Sequence, residues 1–252
     1  DRRDHRIVVL GGDGTVDEVV NGIREPEKVT LGYIPIGSSN DFARGLKIPK
    51  DPEKALDIIL EPRHVMHMDI GVLAAAGRQR RFVVSAGIGF DAAVCHEVCV
   101  SKWKVRLNRI GLGKLSYAVV ALDRLKKDRP VEITATFADG TKQIFEKAYF
   151  AAFMNLPYEG GGFKFCPEAS PADGELDVII VYGLPVVKIL CLLPLAFWGK
   201  HTGFKGVVIK KCSGVRIRTG TALSLHTDGE PGFPRKEIGV SLMGERLKVI
   251  TG

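Results

Sequence analysis

Four short stretches of this chain combine glycine with carboxylates and hydroxyls. Gly11-Gly12-Asp13-Gly14-Thr15 and Gly37-Ser38-Ser39-Asn40-Asp41 lie near the start, Ser170-Pro171-Ala172-Asp173-Gly174-Glu175 past the middle, and Thr227-Asp228-Gly229-Glu230 close to the end. Glycines allow a sharp turn and let backbone N–H groups approach a phosphate without a Cβ in the way. Thr15 adds a hydroxyl, and a helix starting there aims its positive dipole end at the same point. A carboxylate such as Asp13 belongs beside a phosphate only when a cation bridges them, so it points to Mg2+. Each stretch also has a plainer reading: GGDG as a strand-to-helix turn, Asp41 as an N-cap, Asp173-Gly174 and Asp228-Gly229 as ordinary turns. Cys95, His96 and Cys99 have the look of a metal half-site, but no second cluster completes it.

The surrounding elements must bring these stretches together. Arg6 to Leu10 reads as a strand buried on both faces of a parallel sheet. Val16, Val19, Val20 and Ile23 then recur at amphipathic helical spacing. Leu31 to Ile36 is a second strand, and Asp51-Pro52-Glu53 opens a helix to about Leu60. Residues 1–62 therefore form a small α/β nucleotide-binding domain, with both glycine loops at the carboxyl ends of its strands. Two strands are few for such a layer, so an upstream strand–helix unit is expected to belong to it.

Beyond Pro62 the pattern changes, and residues 63–252 read as a larger antiparallel β-sandwich-like domain with helices. Strands are expected at 64–73, 81–86, 131–138, 143–155, 176–182, 206–212, 215–218, 222–227, 237–242 and 246–250, with a hairpin turn at Asp139-Gly140. The last of them is expected to return toward the first domain. Asp91 to about Lys127 reads as mainly helical. The apolar run from Val178 to Trp198 is long enough to raise a membrane span, but Gly183, Pro185, Lys188 and Pro194 break it into a strand and a helix.

With 45% hydrophobic and 26% charged residues the 252-residue chain reads as globular, and its net charge of +7 favours polyanionic partners. Five scattered cysteines argue against a disulfide framework and for a reducing compartment. Ser101 to Ile110 mixes Trp and aliphatics with Lys and Arg, as an anionic-membrane contact or a solvated helix face would.

Taken in order, GGDGTVDEVVNGI, GYIPIGSSNDFARGLKIP, SAGIGFDAAV, NLPYEGGGFKFCPEASPADGELDV and HTDGEP form a series. From Ile7 to about Ile250 it resembles the diacylglycerol kinase catalytic-domain family, which includes bacterial lipid kinases and sphingosine and ceramide kinases. The resemblance implies an ATP-dependent, Mg2+-dependent lipid kinase acting on the hydroxyl of diacylglycerol or a related lipid. It assigns Gly11, Gly12, Asp13, Gly14 and Thr15 to the nucleotide phosphates, with Glu18 and Asn21 bracing the loop. Gly37, Ser38 (where the family usually has Thr) and Asn40 go to the nucleotide, with Asn40 and Asp41 tying the two loops together. Asp228 becomes the general base, Asp13 being the other carboxylate that could serve, and Glu230 joins the same network. Asp173 holds a Mg2+, with Ser170 and Glu175 as neighbouring ligands. The implied partner is a membrane lipid, met at an anionic surface on the cytoplasmic face of the membrane, and not nucleic acid. An exposed sheet edge would also allow a homodimer. Two other readings share the GGDGT turn: a phosphotransferase similar to NAD kinase with a soluble substrate, and a non-catalytic nucleotide- or lipid-binding module.

Overall fold

The computed structural model describes residues 4–100, 123–125 and 128–251. Its first layer holds β1 (His5–Gly11), α1 (Asp13–Gly22), β2 (Val29–Pro35), α2 (Asp41–Gly45), α3 (Pro52–Leu60) and β3 (His64–Met68). The strand order is β1-β2-β13-β3, where β13 (Leu247–Thr251) is the last strand of the chain. β2 lies parallel to both β1 and β13, and β3 runs antiparallel to β13. Asp51 caps α3 by accepting the N–H groups of Glu53 and Lys54, as its position before Pro52 implies. The helix then seats Ile59 directly on Gly32 of β2, where any Cβ would lie 2.9 Å from the Ile59 side chain. Val16, Leu31, Phe42, Ile59 and Val249 fill the core of this layer.

The larger layer is wholly antiparallel. It comprises β4 (Gly71–Ala75), β5 (Arg78–Phe82), β6 (Ser85–Gly89), β7 (Val131–Phe137), β8 (Lys142–Met154), β9 (Leu176–Tyr182), β10 (Val207–Cys212), β11 (Gly214–Thr227) and β12 (Glu230–Leu242). Its order is β10-β9-β8-β6-β11-β12-β4-β5. β6 and β7 each pair with both β8 and β11, which closes these four strands into a ring around Ile88, Ile133, Phe153 and Ile217. Among the described residues, α4 (Phe90–Val100) and α5 (Val186–Phe197) lie against it. The α/β-plus-β architecture expected from the sequence is the one observed.

Several local expectations are corrected. β1 is buried on one face only, with Val8 and Leu10 exposed on the other, and among the described residues it lies at the edge of its sheet. The smaller layer runs past residue 62, since β3 pairs in it beside β13, the last strand, whose return to this layer was expected. The run 64–73 is two strands in different sheets, parted at the buried Asp69. Asp69 accepts Gly174 N–H at 2.8 Å and pairs with Arg246 at 2.6 Å, which fixes the chain where it changes sheet. The run 81–86 straddles β5 and β6, because the N–H groups of Val83 and Val84 donate to the Asp228 carboxylate rather than to a strand. The two strands read at 215–218 and 222–227 are one long β11 with register shifts between Arg218 and Leu225. β12 starts at Glu230, before Pro231 and Pro234. That end pairs only with β11, an edge position of the kind that tolerates proline. The segment Ser101 to Ile110 and the side chain of Cys99 lie outside the described residues.

Candidate active site

The loops after β1 and β2 pack backbone against backbone. Ile36 N–H donates to Gly11 O at 2.9 Å, and a Cβ on Gly37 would sit 2.5 Å from Gly12 Cα. Gly37 is therefore demanded by loop contact as well as by any ligand. Asn40 holds a left-handed conformation at φ 52°, which Asn tolerates better than most residues. Its side-chain amide donates to Gly37 O at 2.8 Å, and Tyr33 Oη bonds both Asn40 Oδ1 and Gly11 O. Asp13 makes the tie between the loops: its two carboxylate oxygens accept the N–H groups of Asp41 and Phe42 at 3.1 and 3.0 Å, capping α2. Asp41 is buried, and takes Gly161 N–H at 2.7 Å and Arg44 at 2.5 Å on its two oxygens. Burial and the neighbouring Asp13 charge push its carboxyl up to about 7.

These loops line a polar cavity of about 260 Å3. Gly12, Asp13, Gly14, Gly37 and Ser38 form one wall, and Asp228 and Glu230 from the far end of the chain form the other. Glu230 Oε1 lies 3.1 Å from where a Cβ on Gly14 would stand, so the first and last motifs touch. Asp228 is buried at φ 50°, with Oδ2 accepting Val83 N–H at 2.8 Å and Oδ1 accepting Val84 and Ser85 N–H at 2.8 and 2.9 Å. Burial and then the Asp17 charge push its carboxyl up to about 7, against the pull of the three donors.

Other expected residues fall elsewhere. Thr15 and Glu18 sit on the exposed side of α1, outside the cavity wall. Of the two residues expected to brace the loop, Asn21 exchanges hydrogen bonds with Arg81 of β5, and beside it the buried Asp17, not singled out in the sequence, pairs with Arg80. Asp173, Ser170 and Glu175 are likewise outside the cavity. Asp173 shares its carboxylate between Lys211 at 2.5 Å and the Glu175 N–H at 3.1 Å, so a cation there would displace an ammonium. The donors that suit a hard divalent ion beside phosphates are Asp13 and Glu230: each Asp13 oxygen accepts one hydrogen bond and keeps a lone pair, and Glu230 is exposed.

A second cavity of about 450 Å3 is almost wholly apolar, lined by Phe90, Phe150, Phe163, Ile179, Leu193 and others from α4, α5 and the sheet beneath. Cys95, Glu159 and Gly160 line both cavities. At that junction lies a buried group that local spacing does not reveal: Asp91, Glu159 and His226. Each stands in a stretch singled out above, but only the pairing of β6 with β8 and β11 brings them together.

Residues 1–73 match the model of the diacylglycerol kinase catalytic domain, and residues 83–250 match the YegS C-terminal NAD kinase beta sandwich-like domain. Over 228 residues the chain is 34% identical to a diacylglycerol kinase of Staphylococcus aureus (strain NCTC 8325 / PS 47), covering 90% of this chain and 68% of the relative. The chain belongs to the diacylglycerol kinase family. It is also 33% identical over 237 residues to YtlR of Bacillus subtilis (strain 168), spanning 89% of this chain and 74% of that one. Two solved structures share the fold of this family member. A diacylglycerol kinase from Bacillus anthracis str. Sterne has TM-score 0.70 at 22% identity, with 98% of this chain and 76% of that one covered. An NAD kinase from Archaeoglobus fulgidus in complex with ATP has TM-score 0.54 at 11% identity, with 98% and 77% covered. The enzyme class of this diacylglycerol kinase family chain is accordingly that of a kinase. Among the described residues no helix is long and apolar enough to cross a membrane.

Proposed function

We propose that this protein transfers the γ-phosphoryl group of Mg2+-bound ATP to the hydroxyl of diacylglycerol or a related lipid alcohol. The observation that carries this reading is the direct abutment of a polar, glycine- and carboxylate-lined cavity on a deep apolar one. Phosphoryl transfer asks a protein mainly for alignment, charge neutralisation and a proton acceptor. The polar cavity offers backbone N–H groups and the start of α1 to the phosphates, and Asp13 and Glu230 to the ion that would accompany them. The apolar cavity suits an acyl chain. A ribose acceptor would meet mostly aromatic and aliphatic walls there, which favours a lipid over a soluble nucleotide.

The lipid would be taken from a membrane surface through α5. Val187, Cys191, Pro194 and Trp198 are exposed along one stripe of that helix and its C-terminal end, with Lys188 and Lys200 beside them. Such a face would rest at an anionic headgroup layer, placing the protein peripherally at the membrane. The test is labelled ATP with diacylglycerol in mixed micelles, sphingosine and NAD in parallel, using the full-length protein. Phosphorylation of a lipid alcohol but not of NAD is expected; transfer to NAD alone, or to nothing, would refute the reading.

A further inference from the structure

Of the three residues that line both cavities, Cys95 and Glu159 are buried and Gly160 is half-buried. Glu159 is held in place by its own network: Oε1 lies 3.3 Å from His226 Nε2, which in turn lies 2.8 Å from Asp91 Oδ2. Buried charged groups tied in this way are costly to move. Gly160 is therefore the member of the three that can meet whatever passes between the cavities. Its turn is clamped at both ends. Glu159 and Phe163 exchange backbone hydrogen bonds, each 2.9 Å. Gly161 N–H donates at 2.7 Å to Asp41, whose own N–H donates to Asp13 in the phosphate loop. Gly160, Gly161 and Gly162 all stand at positive φ, yet the space beside each is used differently. A Cβ on Gly162 would lie 2.6 Å from Arg44 Nη1, the atom that pairs with Asp41, and one on Gly161 would lie 3.4 Å from Ser39 Oγ. A Cβ on Gly160 would meet, among the described residues, only Phe163 Cδ2, at an ordinary 3.6 Å. Phe163 itself lines the apolar cavity, so a side chain at 160 would fill the mouth of that cavity rather than press into the protein.

We propose that Gly160 is a specificity-determining residue: its missing side chain is the aperture through which the acceptor hydroxyl, on a lipid whose chain fills the apolar cavity, reaches the phosphates. This assignment rests on the lipid-kinase reading and leaves proton transfer with the carboxylates of the polar cavity. The clamps at Asp41 and Phe163 keep the turn from swinging aside, so the size of the residue at 160 sets the width of the passage. A plainer account competes with this one. Gly160 has φ 64°, in the left-handed region, and glycine suits that backbone whatever lies beside it. The two accounts rank substitutions in opposite order. Asn enters the left-handed region more readily than Ala, so a demand from the backbone alone makes Asn the milder change. Asn is also the larger side chain, so a demand for open space makes it the more harmful one.

The test is the full-length protein with ATP and dioctanoylglycerol in mixed micelles. Wild type, Gly160→Ala and Gly160→Asn are compared for Tm and for kinetics with each substrate varied. Gly160→Ala should lower kcat for the lipid by about tenfold, the scale of one extra carbon in a fitted site. Gly160→Asn should lower it by about 100-fold or more, the scale of a reacting group misplaced by about 1 Å. KM for the lipid should hold, because the apolar cavity still takes the chain. Tm should fall in the opposite order, further for Ala than for Asn. A lipid kcat that follows Tm, with Asn nearer wild type than Ala, overturns the aperture and leaves glycine to the backbone. A rise in KM for ATP as large as the fall in lipid kcat overturns it too. If Gly160→Asn fails to fold, Gly160→Ala decides: a loss confined to kcat supports the aperture, and a loss carried by KM for the lipid, or no loss, overturns it. An active wild type with both variants turning over lipid at its rate refutes Gly160 and leaves the kinase reading standing. A wild type that phosphorylates no lipid alcohol refutes both.

Discussion

Asp228→Asn separates a structural role from a chemical one. Asn is as tolerant as Asp of the left-handed backbone at φ 50°, so the substitution tests the acceptor pattern and not the turn. The carboxylate now accepts Val83 N–H on one oxygen and Val84 and Ser85 N–H on the other. An amide has one oxygen. Placed at Oδ1 it keeps two donors and turns its NH2 toward the Val83 N–H; placed at Oδ2 it orphans two. The first arrangement wins and leaves one buried donor unpaired, a cost of about 1–3 kcal/mol. The two surviving bonds lose their charge assistance, so the total comes to about 2–4 kcal/mol. For a chain of this size that is a fall in Tm of roughly 5–15 °C. Thermal and urea unfolding at pH 8, followed by circular dichroism, would measure it. A Tm within about 1 °C of wild type would refute the argument that these bonds hold β6 to the end of β11, on the scale just given. A stable Asp228→Asn variant that loses only lipid turnover would instead give Asp228 the chemical role.

Gly37→Ala should raise KM for ATP by about tenfold or more while leaving KM for lipid unchanged, because a misplacement of about 1 Å at a binding loop is costly; its Cβ would stand 2.5 Å from Gly12 Cα and force the loops apart, and steady-state kinetics with each substrate varied would show it. Burial holds the carboxyls of Asp17 and Asp41 up to about 6 and about 7 in the folded state. Between the ordinary Asp value and those values the folded chain binds protons that the unfolded chain has released, so stability falls as pH rises through that window. Urea midpoints measured from pH 5 to pH 8 should decrease. EDTA should abolish lipid phosphorylation and added Mg2+ should restore it, since the carboxylates of the polar cavity would otherwise repel ATP phosphates. Trp198→Glu should weaken sedimentation with anionic vesicles without changing KM for ATP, because Trp198 is 66% exposed at the end of the α5 stripe.

Much of this protein is local in origin. Glycine in the turns after β1 and β2, the cap at Asp51, the hairpin at Asp139-Gly140 and the period of α1 all follow from neighbouring residues, so the α/β layer and the β-rich body could be read in order along the chain. The residue types of the two glycine loops already raised the expectation of a phosphate ligand. Other features required the fold. Gly37 serves Gly12 as much as any phosphate, and Asp13 caps a helix in another loop. β3 and β4 separate at Asp69 because a buried carboxylate finds partners in two distant loops. The meeting of Asp91, Glu159 and His226 has no signature in spacing, since three strands paired across the sheet set it. Residue type fixes what a side chain can donate or accept, and only long-range packing decides which partners remain for it.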